Sequence, residues 1–251
     1  MSVRAVKAPS PVEYLDWDDV NKEMTNATCT AYEVVTADTA TFEAGKTYVV
    51  RGAVTNATGI TVNGTSSNPT RLILCDGTEL VVKGEKGSAG LSVTNGCALV
   101  ICGQTAGTGK LEATGALDGA GIGGNSADKI KGIVNDGGTV TINGGMVTAT
   151  GGGYGAGIGG GFQGNGGAVT VNGGVVTAIG TDGGAGIGGG HSGGAGGTVT
   201  INGGTVTATG RYAVGIGGGM DGKDAGTVTF GAKFNILAGN DAGSAEPKEQ
   251  D

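Results

Sequence analysis

From residue 139 onward, apolar and threonine positions alternate in short runs, and glycine separates the runs. TVTINGGMVTAT at 139–150 reads out-in-out-in, turn, out-in-out-in. Period-two alternation of β-branched residues predicts half-buried strands. The Asn-Gly-Gly between the strands is a turn, because Asn and Gly tolerate positive φ. A glycine run ending in GAGIGGG follows, too glycine-rich for a helix. The unit is then repeated as AVTVNGGVVTAIG…GAGIGGG and TVTINGGTVTATG…VGIGGG, and TVTF at 227–230 opens a fourth copy. Its asparagine recurs at Asn143, Asn172 and Asn202, giving steps of 29 and 30 residues. The isoleucine of GIGG recurs at Ile158, Ile187 and Ile216. A fixed period of this size predicts a stack of like coils. The expected fold is all-β, a right-handed parallel β-helix of about six coils with a glycine-rich third side. Neighbouring coils would lie ~4.8 Å apart.

Aligned copies give the interior as columns: Val140/Val169/Val199, Ile142/Val171/Ile201, Val147/Val176/Val206, Ala149/Ala178/Ala208 and the GIGG isoleucines. Asn143, Asn172 and Asn202 are expected to stack at one corner as a structural ladder, hydrogen-bonding the backbones of their neighbours. The third side is expected to run close to the core as extended, polyglycine-II-like chain. Upstream the pattern loosens. GAGIGG at 119–124 precedes the next GIGG isoleucine by 36 residues, implying an insertion near 126–133. ITVNG, RLILCDGTELVV, LSVTNGCALVICG and GKLEATG read as strands of less regular coils. The chain divides into a flexible flank at 1–12, an N-terminal cap at 13–34, the β-helix at 35–239 and a flexible tail at 240–251. The cap, with Trp17, is expected to cover the open end of the stack.

Composition changes little of this picture. There are 58 glycines in 251 residues without a G-X-Y period, which excludes collagen. No apolar stretch is long enough to span a membrane as a helix. The net charge of −7 argues against nucleic acid and anionic membrane partners. No secretion signal opens the sequence, and the chain is expected to be an excised piece of a longer one, joined to other domains. Cys29, Cys75, Cys97 and Cys102 lack metal-ligand spacing and sit in apolar contexts, so reduced thiols are expected. Cys97 and Cys102, five apart, would face opposite sides of one strand.

Chemistry-bearing motifs are sparse. His191 is the single histidine, and no Ser-His-Asp set, HExxH or P-loop appears. The GxGxxG-like strings recur in every coil rather than once between a strand and a helix, so they are not a dinucleotide fingerprint. The acids Asp76, Glu79, Glu112, Asp118, Asp136, Asp182, Asp221 and Asp224 fall at turns rather than in a catalytic group. DGKDAG offers Asp221 and Asp224 as a weak calcium pair without the glutamate of an EF-hand. No cofactor and no metal are therefore expected, calcium being the one possibility.

Two surfaces are left as binding candidates. Thr139, Thr198, Thr141, Thr170 and Thr200 form outward threonine columns, an alternative ice-binding face. The other is the rim of the glycine side. Four residues before each GIGG isoleucine stand Asp118, Tyr154, Gly183 and Tyr212. Four residues after it stand Ser126, Phe162, His191 and Met220. These positions vary while the scaffold does not, which suits recognition. Tyr154, Tyr212, Phe162, His191 and Asp182 are the ligand-binding candidates; their alternative role is to shield glycine backbone.

The stretch from YEVVTADTATFEAGKTYVV through LVICGQTAGTGKLEATG to the TVTINGGTVTATGG/GAGIGGG coils resembles glycine-rich repeat surface proteins of gut Firmicutes and Actinobacteria. More distantly it is similar to carbohydrate-binding β-helix domains related to pectate lyases. The resemblance implies a secreted or cell-wall-attached, non-catalytic adhesin module that binds a glycan or a host or neighbour-cell surface. A structural stalk and a polysaccharide lyase-like enzyme are the competing readings.

Overall fold

The computed structural model of the chain describes residues 10–126, 136–192, 194–222, 224–231 and 235–240. The insertion expected near 126–133 lies, past Ser126, outside the described residues; so do 1–9 and 241–251 of the two flanks.

The described chain holds strands and turns and no helix, wound into a parallel β-solenoid of about six turns. Three parallel sheets form its sides. The first has eight strands, among them Thr70–Leu74, Ala98–Gly103, Thr139–Ile142, Ala168–Val171 and Thr198–Ile201. The second has seven, including Lys110–Thr114, Met146–Thr150, Val175–Gly180 and Thr205–Gly210. The third, also of seven, is built from pieces as short as Ile158–Gly159, Ile187–Gly188 and Ile216–Gly217. Register follows the sequence repeat: Val140 pairs with Val169 and Val169 with Val199, while Ala149 pairs with Ala178 and Ala178 with Ala208. The inward columns are sealed up to the last coil, with Val169 at 2 % exposure and Ile142, Ala149, Ile158 and Ile187 at 0 %, while Ile216 is half-buried. Each valine or isoleucine so buried contributes roughly 1.5–3 kcal/mol.

The glycine side departs from polyglycine II at one glycine in each coil. Gly123, Gly159, Gly188 and Gly217 adopt φ of 136°, 136°, 138° and 139°, far from the −75° of that helix. Their coils pair as genuine two-residue strands, with Ile158 beside Ile187 and Gly159 beside Gly188.

The asparagine corner also differs from expectation. The side chains bond to one another rather than to backbone. Asn202 Nδ2 donates to Asn172 Oδ1 at 2.8 Å, and Asn172 Nδ2 donates to Asn143 Oδ1 at 2.9 Å. The ladder ends on a carboxylate: Asn143 Nδ2 donates to Asp16 Oδ1 at 2.8 Å. An amide carries a donor and an acceptor, so a column of amides satisfies itself with one polarity.

Asp16 belongs to an antiparallel hairpin, Val12–Asp18 with Glu23–Cys29. This segment does not close the end of the stack. It lies along the outer flank of the first sheet, where Val12 and Tyr14 pack with Val49, Ile73 and Cys102. Asp16 also holds Arg71 at 3.1 Å, and Gln104 Nε2 donates to the Glu13 carbonyl at 2.8 Å. The physical reason is that Val49, Ile73 and Cys102 point outward from successive strands and make an apolar strip that needs cover. The core at the start of the stack is filled by the solenoid itself: Phe42 and Tyr48 stack at 4.3 Å, 0 % and 3 % exposed. All four cysteines are free thiols. Cys102 faces the hairpin and Cys97 packs against the main core, so the two do face opposite ways.

Candidate functional site

The rim forms where each coil leaves the second sheet, crosses the glycine side and turns back toward the first. Two turns per coil carry its side chains. The backbone interlocks them between coils: Phe162 N donates to Asp118 O at 2.7 Å, His191 N to Tyr154 O at 2.9 Å and Met220 N to Gly183 O at 2.7 Å. The second-row residue of one coil therefore sits against the first-row residue of the coil before it. Beneath Tyr154, the Thr181 hydroxyl lies 2.8 and 2.6 Å from the carbonyl oxygens of Gly151 and Gly153 and fixes that turn.

This interlock gathers three of the five candidates. Tyr154 and His191 have ring centroids 4.8 Å apart, Tyr154 and Phe162 5.7 Å, and Phe162 and His191 6.0 Å. Tyr154 is 40 % exposed, while Phe162 and His191 are half-buried. His191 lies over Gly183, so that a side chain at 183 would run into its ring. His191 Nδ1 is 2.7 Å from Ser192 Oγ, a contact between chain neighbours.

Asp182 and Tyr212 fall outside the ring cluster and form a second group. Arg211 links them, holding Asp182 Oδ1 at 3.1 Å and placing its guanidinium 5.2 Å from the Tyr212 ring centroid. Tyr212 is 60 % exposed. Arg211 went unnoticed in the sequence because nothing in its local pattern marks an arginine that bridges two coils.

Asp118 heads the row and is the electrostatic anomaly of the rim. Its backbone is left-handed, at φ 72°. Its Oδ1 is buried and has no hydrogen-bond partner among the described residues. Burial pushes its carboxyl above the ordinary aspartate value.

The other candidates lie apart from this rim cluster. Thr139 pairs with Ala168 and Ala168 with Thr198, whereas Thr141, Thr170 and Thr200 run without a break. The Asp224 carboxylate accepts the backbone N–H of Gly226 at 2.8 Å. No group of three His, Cys, Asp or Glu side chains that could hold a metal occurs among the described residues, around Asp221 and Asp224 or elsewhere. A cavity of about 540 Å³ opens under the hairpin edge, lined by Val12, Glu13, Arg51 and Cys75 among others. Its Arg51 is occupied by Ser10 O at 3.2 Å and Tyr32 Oη at 2.7 Å.

Four segments, 106–126, 140–162, 169–191 and 199–220, match the family model described as Beta helix repeat. The last three open on the inward Val140, Val169 and Val199, and the four close on Ser126, Phe162, His191 and Met220, so each match ends at the rim. The comparisons with curated proteins and with solved structures yield no match. Repeat match and fold agree: the matched stretches are β-helix repeats of a parallel β-solenoid.

Proposed function

We propose that this β-helix is a non-catalytic binding module of a bacterial surface protein, holding a glycan of a host or neighbouring cell against its rim. The observation that carries the reading is the ring cluster of Tyr154, Phe162 and His191, whose tyrosine is exposed, on a scaffold whose other positions barely change. Aromatic faces stack on the apolar C–H faces of sugars, and neighbouring hydroxyl, carboxylate and guanidinium groups take sugar hydroxyls. Asp182 and Arg211 lie one and two coils further along the same rim.

The test is retention on glycan and mucin arrays, with and without calcium. Binding is expected, and Tyr154→Ala combined with Tyr212→Ala should weaken it at least about tenfold, as the loss of two stacking platforms would. A folded protein retained by no glycan would remove this reading. The second reading, a rigid spacer, is favoured by His191, which lies over Gly183 and so serves the scaffold as well as the surface. It predicts a blank array.

A further inference from the structure

We propose that the rim selects glycans bearing free amino groups, with the ammonium held by Asp118 beside the Phe162 and Tyr154 rings. The inference rests on the glycan reading above and names the sugar class for the same site.

Three observations converge on a cation. The first is the carboxylate. Asp118 forms no ion pair among the described residues, and its inner oxygen is sealed without a donor, yet the residue stays partly exposed. A charge held this way, desolvated on one side and unpaired among the described residues, gains more from an incoming cation than a solvated aspartate does. Burial raises the proton affinity of the same group.

The second is the ring geometry. Phe162 is bonded through its backbone N–H to the Asp118 carbonyl, and Gly153, whose missing side chain would come within 3.7 Å of Asp118 Oδ1, leads directly into Tyr154. Asp118 and the turns that bear the rings therefore adjoin across two coils. An ammonium is drawn to a ring face as well as to a carboxylate, and a sugar's C–H face stacks on the same ring.

The third is the sign of the surroundings. Asp182 and Asp221 stand further along the rim. Two described cations stand there: Arg211 is committed to Asp182 at 3.1 Å, and Lys86 is exposed in the turn of the coil that precedes Asp118. The chain as a whole carries −7. A uronate or sialylated chain would meet like charge here, whereas a glycan with free amines would be attracted.

The probes are the hexamer of glucosamine and the hexamer of N-acetylglucosamine, titrated calorimetrically into the full chain at about pH 6. That pH lies above the ordinary aspartate range and keeps a sugar amine protonated. The free-amine hexamer should bind about tenfold more tightly, the contribution of one charge-assisted hydrogen bond. Asp118→Asn should abolish the preference. Asparagine accepts left-handed φ, so this variant keeps the turn. Asp38→Asn removes the same charge from an exposed position at the far end of the stack and should leave the preference intact. Tyr154→Ala should weaken both hexamers. Equal binding of the two hexamers, or a preference that survives Asp118→Asn, overturns the assignment of Asp118 while the glycan reading stands on the Tyr154 result. Binding of neither hexamer by a folded chain overturns this proposal, and the array then decides the broader reading alone.

Discussion

At Gly188 two constraints coincide. Its φ of 138° lies in a region that side chains rarely enter, and a Cβ there would collide with the carbonyl oxygen of Gly217 in the next coil. Neither constraint can relax alone, because Ile187 and Gly188 are paired on both sides, to Ile158 and Gly159 and to Ile216 and Gly217. Gly188→Ala is therefore expected to cost roughly 3 kcal/mol or more, which urea unfolding would measure. Gly173 is a useful contrast. Its φ is not positive, and an added Cβ would meet Asn143 O at 3.1 Å with nothing else nearer than 3.8 Å. Gly173→Ala should cost under about 1 kcal/mol. Similar losses at both sites would contradict this account of the glycine side. The contrast also marks how far the letters can be read at this scale. Both glycines recur faithfully in the repeat, so both look equally required. Only the packed coils reveal that one is held by backbone crowding and the other by little.

The element that sequence reasoning placed wrongly is the N-terminal hairpin, yet a signal for it was present. Strands of the later coils alternate strictly, as in TVTI at 198–201, whereas the early ones carry unbroken apolar runs: YVV at 48–50, LIL at 72–74 and LVIC at 99–102. An unbroken run marks a strand buried on both faces. The outward members of those runs, Val49, Ile73 and Cys102, are the ones the hairpin covers. Further along the same column stand Asn143, Asn172 and Asn202 in place of apolar residues, and Asp16 sits where apolar gives way to amide. That the asparagines form a corner column was legible from their spacing. That they bond to each other and end on a carboxylate 127 residues away in sequence was not, since no local pattern encodes a long-range partner. The cover can be tested through Cys102, whose thiol burial pushes up to about 12. Alkylation needs thiolate and access, so Cys102 should react only when the hairpin lifts. Asp16→Ala removes both the Arg71 and the Asn143 contacts, and iodoacetamide should then label Cys102 about tenfold faster. An unchanged rate would mean that Asp16 does not hold the hairpin down. The sign with pH follows from the same thiol. Between its ordinary value of 9.0 and about 12 the native state binds more protons than the unfolded one, so this group lowers stability as pH rises through that window. Below pH 9.0 it contributes no such slope.

For the molecule as a whole, the period is the quantity that matters, because every pairing within the three parallel sheets joins one coil to the next. The 29-residue step brings Asn143 to Asn172, Val140 to Val169 and Ile158 to Ile187 at once. Register on three sides is therefore set by one number, which is why the architecture could be read from the repeat so fully. The rim was legible as positions and not as contacts, since its clustering depends on the interlock of one coil's turn with the preceding coil. The same logic makes the stack modular. Removing residues 164–192 takes out one whole period and joins coils that present the same columns, so Val140 would pair with Val199 and the asparagine ladder would close between Asn143 and Asn202. Such a chain is expected to fold with strand content reduced in proportion and to unfold in one transition at lower denaturant, because stability in a solenoid is a sum of coil and neighbour terms. Removing 164–177 deletes half a period. It would set Asn143 and its inward neighbours against the wrong side of the next coil, exposing core and breaking the ladder. Circular dichroism and urea unfolding of the two deletions separate the cases. If the half-period deletion were as stable as the full-period one, side-chain register would not be what holds the coils together, and backbone pairing alone would have to carry the stack.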